Sequence, residues 1–133
     1  MTQDLKNKKY YFFVSILYRS SIDGESGESD LWEEQIIAIR ADSESEAHEK
    51  AMKFALSQEH SYFNENGENV RWEFHKVERI FFVESEKIED GTEVFSRFLR
   101  ASEALSLLTP VDWNEFAPTA PAHDLRGQEL PNH

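Results

Sequence analysis

One short stretch of the sequence places a histidine, a serine and a tyrosine side by side, in His60, Ser61 and Tyr62. A hydrolase built on them would need His60 within hydrogen-bond reach of a nucleophile, and a third group to orient the histidine ring. Asp90 or Glu93 is the candidate for that third group, but nothing in the spacing brings either carboxylate to His60. A histidine that ends a helix, beside the negative end of the helix dipole, accounts for the same residue without catalysis.

An acidic loop near the N-terminus holds the oxygen ligands that calcium prefers. A calcium-binding loop supplies such oxygens at fixed positions, with a central glycine and a terminal glutamate. This loop does not follow that spacing, so we predict a solvated, self-repelling loop and no metal site. The chain has no cysteine, which excludes thiolate ligands, cysteine nucleophiles and disulfides. The acidic residues are Asp23, Glu25, Glu28, Asp30, Glu33 and Glu34.

Several basic residues on the last two predicted strands, or directly after them, form a candidate anion-binding patch. Acidic residues such as Glu73 and Glu78 lie among them, and cross-strand pairs of opposite charge are the commoner explanation. The sequence has no glycine-rich phosphate-binding loop and no dinucleotide-binding fingerprint, so we expect no cofactor. The basic residues are Arg71, Lys76, Arg79, Arg97 and Arg100.

The composition is that of a small acidic protein. The chain has 133 residues and a net charge of -12. This charge argues against binding to a nucleic-acid backbone and favours a basic partner, or no charged partner. No apolar run approaches the roughly 20 residues that span a bilayer, and the N-terminus does not resemble a signal peptide. We therefore expect no nucleic-acid or membrane partner, and a cytoplasmic location.

Hydrophobic periodicity predicts the elements that must position these residues. Alternation predicts four strands, and the spacing of apolar residues predicts two helices, the first with Ser43 and Glu46 as a capping box. Near His75 the alternation of the third strand changes phase by one residue, as a bulge would produce. The predicted strands are residues 10–19, 32–40, 69–83 and 93–99, and the predicted helices are residues 42–58 and 101–108.

These elements predict an α+β domain with an antiparallel four-stranded sheet in ββαββα order and the long helix on one face. Both faces of the first strand are apolar, which predicts a sheet that is covered on both sides. The second face would be covered by the short helix, or by another copy of the protein. We expect residues 1–109 to form this single domain, and the proline-containing residues 110–133 to form a mobile polar tail.

Several segments of the sequence together resemble the bacterial family catalogued as domain of unknown function 4288. The resemblance extends over about residues 10–100 and implies kinship without a mechanism. It makes a small set of residues the candidates for a shared site, with catalysis considered for the first three and binding for the others. The segments are residues 33–37, 41–47, 60–62, 72–74, 90–94 and 96–99. The candidates are His60, Asp90, Glu93, Tyr62, Trp72 and Arg97.

Three functional hypotheses follow from the sequence. The favoured one is a non-enzymatic protein-interaction module, either a homodimer or the partner of a basic protein, as an immunity protein is of a basic toxin. The alternative is a small hydrolase-like or ligand-binding enzyme that uses His60 with carboxylates near Asp90. A stand-alone structural subunit is a third reading. Because the sequence has no recognisable catalytic motif, we favour a protein that is not an enzyme.

Overall fold

The structure is a computed structural model that describes residues 8–27 and 30–109. Its centre is one antiparallel sheet with the strand order β2-β1-β4-β3. The described elements, in chain order, are β1 (Tyr10–Ile22), β2 (Trp32–Ala41), α1 (Glu44–Ser57), β3 (His60–Phe63), β4 (Asn69–Val83) and α2 (Ala101–Leu108).

The core lies between β1 and α1. The even-numbered side chains of β1 point to one face because strand side chains alternate, and five of them are buried there, four of which belong to the hydrophobic core. Three alanines on one stripe of α1 are fully buried in the same cluster. Alanine has no side chain beyond Cβ, so this helix can approach the sheet closely. The cluster contains Phe12, Val14, Ile16, Tyr18, Ala41, Ala47, Ala51 and Ala55.

The start of α1 is capped by its own sequence. The Ser43 hydroxyl accepts a hydrogen bond from the Glu46 N–H at 3.1 Å. The Glu46 carboxylate in turn accepts the Asp42 N–H at 2.7 Å. This backbone bond, together with Lys9, lowers the pKa of Glu46 to about 2. The predicted Ser43–Glu46 pair is therefore present, with the glutamate reaching one residue further back than a capping box requires.

Two bulges bend β4. Ser15 pairs with Arg79 and Ile16 with Val77, so Glu78 is an extra residue in the ladder. A second shift between the pairs of Leu17 and Tyr18 makes His75 an extra residue as well. The phase change expected near His75 is thus confirmed. Bulges of this kind increase local twist and curl a sheet.

The α+β class and the antiparallel four-stranded sheet are confirmed, but the predicted order of the strands is wrong. The third strand is His60–Phe63, which lies between the predicted helix 42–58 and the predicted strand 69–83, and Asn69–Val83 is the fourth. The Asn64–Glu68 turn, with Gly67 at φ 78, joins the two. Residues 93–99 form no strand. A strand of four residues is too short to produce a recognisable alternation.

The picture of a long helix on one face also needs correction. With 14 residues, α1 is about 21 Å long at a rise of about 1.5 Å per residue. The 15 residues of β4 extend about 50 Å at about 3.3 Å per residue. Since the sheet is also curled by the bulges, α1 covers only part of the face.

The second face is partly covered by the irregular segment before α2, and the prediction that α2 covers it is wrong. Phe95 in this segment packs on Phe81 of β4, with ring centroids 5.9 Å apart. None of the α2 residues is buried, and Leu105 and Leu108 are exposed. The predicted tail, residues 110–133, lies outside the described residues. No described helix is both long enough and apolar enough to cross a membrane.

Candidate functional site

The outer side of β2 is an open sheet edge. β2 pairs with β1 in an unbroken register over its ten residues, and no described strand pairs with its other side. The Ser20 N–H bonds the Leu31 carbonyl at 3.0 Å, which shows that the backbone of Leu31 faces β1. Backbone groups alternate in an antiparallel ladder, so the even-numbered residues of β2 direct their N–H and C=O groups away from β1.

One further hydrogen bond agrees with this direction. The Arg40 carbonyl accepts the Lys50 ammonium at 2.8 Å, as only a carbonyl that β1 does not use can readily do. We call the outward-directed residues the β2 edge. They are Trp32, Glu34, Ile36, Ala38 and Arg40.

The side chains of the β2 edge are suited to contact. All of them lie on the second face of the sheet, because they pair with odd-numbered residues of β1. Trp32 and Ile36 are 42% and 45% exposed. The Trp32 ring is fixed by the Arg19 guanidinium, 5.1 Å from its centroid, and by the ring of His75 at 4.8 Å. Exposed aromatic and branched side chains along an unpaired strand are typical of a strand-addition surface.

The other open part of the sheet is interrupted by bulges, whereas β2 is regular. β3 pairs only with residues 69–72 of β4, which leaves the rest of β4 without a described outer neighbour. Both bulges, at His75 and Glu78, fall in this part. The Glu59 carboxylate also accepts the Phe74 N–H at 3.0 Å. Bulges and inward charges are the devices by which proteins block an edge. The described β2 edge has no bulge.

Arg97 holds the covering segment onto the second face. Its guanidinium lies 3.4 Å from the Glu34 carboxylate of β2 and 3.5 Å from that of Glu78 on β4. Glu34 also accepts the buried Ser15 hydroxyl at 2.7 Å. Glu78 Oε1 is buried without a hydrogen bond, so the nearby Arg97 charge is its compensation. Arg97, predicted to bind a partner, thus has two carboxylates of its own chain as neighbours.

Three of the predicted site residues lie together on the opposite face. His60 is directly opposite Trp72 across β3 and β4, and Trp72 packs against the core beneath α1. The rings of His60 and Tyr62 are stacked, with centroids 6.1 Å apart. His60 Nδ1 lies 3.0 Å from the Gln58 carbonyl oxygen. The structure therefore gathers these aromatic residues and gives His60 a backbone partner.

The predicted carboxylates are not part of that group. Asp90 lies in the turn closed by the Thr92 N–H and the Glu89 carbonyl at 3.0 Å, and Glu93 follows directly. Both are exposed, and neither forms an ion pair or hydrogen bond with His60 in the described chain. They lead into Phe95 and Arg97, which pack on the far side of the sheet from Trp72.

Comparison with known families shows the family of this chain. A family model described as "Domain of unknown function (DUF4288)" matches residues 11–96. The chain belongs to the DUF4288 family. The match contains most of β1 and all of β2, α1, β3 and β4, so the whole β2 edge lies inside the DUF4288 domain, whereas Arg97 and α2 lie beyond the match. No curated protein and no solved structure gives a significant match.

Tyr18 is a residue that the sequence did not single out. Its hydroxyl, buried beside α1, donates to the Gln35 side-chain carbonyl at 2.9 Å. Burial, with the carboxylates of Glu33 and Glu59, raises the pKa of Tyr18 to about 12. A tyrosine held neutral in this way is a structural hydrogen-bond donor of the DUF4288 domain. The alternation of β1 indicated its face, but nothing local indicated its partners.

A cleft of about 260 Å³ lies at the end of the sheet where β1 begins. The Lys8 ammonium forms an ion pair with the Glu86 carboxylate at 3.1 Å, and this pair partly neutralises the charges that line the cleft. Arg40 stacks over the Tyr11 ring at 4.8 Å. Among the described residues no group of histidine and acidic side chains is arranged to hold a metal ion. Neither feature of this DUF4288 domain defines a ligand.

Proposed function

We propose that this DUF4288 protein is a non-enzymatic protein-interaction module that binds an extended strand along the β2 edge. The observation that supports the proposal is the row of outward-directed backbone groups on β2, a strand without bulges. The open part of β4, at the opposite edge of the sheet, is interrupted by two bulges. Edge strands left open in this way invite pairing with another chain. Backbone hydrogen bonds then supply affinity, and the alternating side chains supply specificity.

The partner is either another copy of the chain or a basic protein, and an immunity-like role is one form of the second case. The net charge of -12 supports attraction of a basic partner at long range. We place this activity in the cytoplasm. The alternative is an enzyme that uses His60, and the geometry gives it no support. The described hydrogen-bond partner of the His60 ring is the Gln58 backbone carbonyl, and no described hydrogen bond or ion pair joins His60 to Asp90.

A proline in the β2 edge tests the proposal. Ala38 directs its N–H away from β1, so Ala38→Pro removes an outward donor and leaves the β1–β2 ladder intact. We expect Ala38→Pro to fold, and to lose at least tenfold in affinity for whatever protein the wild type binds. Binding is measured by light scattering for self-association and by capture from native extract for other proteins.

Ala38→Val is the matched control, because it keeps the outward N–H and adds only two methyl groups to the side chain. It should bind as the wild type does. Circular dichroism shows whether each variant is folded. Equal binding by folded Ala38→Pro and wild type would show that the edge is not the contact surface. A wild type that stays monomeric and captures nothing would refute the interaction proposal itself.

A further inference from the structure

The geometry points to a second copy of the same chain as the occupant of the β2 edge: we propose an antiparallel β2–β2 pair around a twofold axis at Ile37. This inference rests on the proposed function and names its partner. It joins two four-stranded sheets into one continuous sheet across the subunits. The support comes from the symmetry of the strand and the order of its charges.

Symmetry limits how two β2 strands can pair. A twofold axis perpendicular to the sheet keeps the α1 face of one copy beside the α1 face of the other. Residues directly opposite each other in an antiparallel pair share a face, so each even-numbered residue must be opposite another even-numbered one. The axis therefore passes through a residue of β2, and each choice of residue fixes one register.

The charges select among these registers. With the axis at Ile37, Glu34 is opposite the partner's Arg40, and symmetry repeats this pair of opposite charges. The Glu34 carboxylate already contacts Ser15 and Arg97 of its own chain, so the partner's Arg40 would be a second cation beside it. The same register places Ile36 opposite the partner's Ala38, an apolar pair. Opposite charges and apolar residues at directly paired positions each stabilise a sheet.

The neighbouring registers lack the pair of opposite charges. An axis at Ile36 places Ile36 opposite its own copy, an apolar pair, but leaves Glu34 opposite Ala38. An axis at Ala38 brings Glu34 opposite Asp42, two like charges whose repulsion destabilises a pair. An axis at Gln35 places Ile36 opposite Glu34. The register at Ile37 is therefore the one that matches charge to charge and apolar residue to apolar residue.

The backbone direction fits the same register. The outward N–H and C=O groups belong to the even-numbered residues, so the pairs Glu34–Arg40 and Ile36–Ala38 would each exchange two hydrogen bonds. Ile37 would meet its own copy at a non-hydrogen-bonded position, where Cα atoms are about 4.5 Å apart. The Arg40 carbonyl already accepts the Lys50 ammonium, so it would accept the partner's Glu34 N–H with its second lone pair. Lys50 lies at the end of this ladder and leaves its centre open.

A charge exchange tests the register in the full-length protein. Glu34→Arg and Arg40→Glu each place like charges at both symmetry-related positions, so each variant alone should dimerise at least tenfold more weakly than wild type. An equimolar mixture of the two variants places opposite charges at both positions and should recover the dimer. The double variant Glu34→Arg/Arg40→Glu should dimerise as a single species. Light scattering would detect twice the chain mass of 15.5 kDa.

Single cysteines provide a second test, because the natural chain contains none. Oxidised Ile37→Cys should form a cross-linked dimer, since opposite Cα atoms about 4.5 Å apart lie within the disulfide range of about 4.4–6.8 Å. Gln35→Cys alone should not cross-link, but its mixture with Ile39→Cys should, because those positions are opposite each other. Circular dichroism on each variant confirms folding.

The outcomes separate this inference from the proposed function. Recovery in the mixture together with cross-linking at Ile37→Cys supports the β2–β2 pair. A wild type that is monomeric at all concentrations overturns it, and if Ala38→Pro still abolishes capture of another protein, the interaction proposal stands without it. A dimer that ignores the charge exchange and does not cross-link at Ile37→Cys also overturns it.

Discussion

Replacing Arg97 by methionine tests whether its two ion pairs hold the segment before α2 on the sheet. Methionine keeps the length and apolar stem of the side chain and removes the charge. The Glu34 and Glu78 carboxylates would then face each other without the guanidinium, and Glu78 Oε1 would remain buried without a hydrogen bond. We therefore expect Arg97→Met to lower the free energy of unfolding.

The magnitude follows from the exposure of the three side chains, which are 28%, 32% and 30% exposed for Arg97, Glu34 and Glu78. Removing one partner of a fully buried pair costs about 3–5 kcal/mol. An exposed pair contributes about 0–1 kcal/mol. The intermediate burial here gives about 2 kcal/mol for Arg97→Met. Urea denaturation followed by circular dichroism measures this difference.

Two further variants make the result specific. Arg100→Met removes an exposed guanidinium that has no described ion pair and should cost less than about 0.5 kcal/mol. In a Glu78→Gln background, Arg97→Met should cost about 1 kcal/mol less than in wild type, because the orphaned carboxylate is gone. The reasoning would be refuted if Arg97→Met were no more destabilising than Arg100→Met, or if the two substitutions were additive.

Two pH-dependent effects and one turn variant extend the account. Burial raises the pKa of Tyr18 to about 12 in the folded protein from about 10 when unfolded, so its contribution of roughly 2 kcal/mol is present below pH 10 and is lost as pH rises to 12. Tyr18→Phe should flatten that decline in denaturation curves. The pKa of Glu46 is lowered to about 2, so its contribution is present above about pH 4.5 and is lost as pH falls to 2; Glu46→Gln should remove this acid dependence, and an unchanged dependence would contradict the capping argument. Gly67 has φ 78, so Gly67→Ala should cost about 1 kcal/mol, measured by thermal unfolding, whereas an equal midpoint would show that the turn relaxes.

Long periodic segments of this chain could be predicted, because their pattern is local. The alternation of residues 10–19 and 69–83 gave two strands of the sheet and even the bulge at His75. The alanine stripe gave α1 and its buried face. In each case the residues that decide the structure are within one element.

The failures depended on contacts between distant segments. Residues 93–99 have the composition of a strand, yet the Phe95 ring packs at an angle of 47° against the Phe81 ring, and Arg97 pairs with Glu34 of β2. No local pattern shows that a segment will cross a sheet face instead of extending its edge. β3 was missed because its four residues gain their structure from pairing with β4.

The candidate site residues also could be predicted where a local pattern determines them and could not where distant segments do. His60, Tyr62 and Trp72 were chosen from the sequence and do lie together, because one short hairpin joins them. The sequence did not predict the β2 edge as a binding surface, although the residues of β2 were correctly predicted to form a strand. Whether a strand lies at an edge or in the centre is set by the strand order, which the sequence pattern of β2 does not contain.

Amide hydrogen exchange along β2 tests the central claim most directly, since it shows whether the edge is occupied. The amides of Ile37 and Ile39 face β1 and should be protected in every sample. In concentrated wild-type protein, or with its captured partner, the amides of Ile36 and Ala38 should also be protected, and the Ile36 amide should lose this protection in Ala38→Pro. If the amides of Ile36 and Ala38 exchange as freely in every wild-type sample as the Ile36 amide does in Ala38→Pro, nothing binds the β2 edge and the account is wrong.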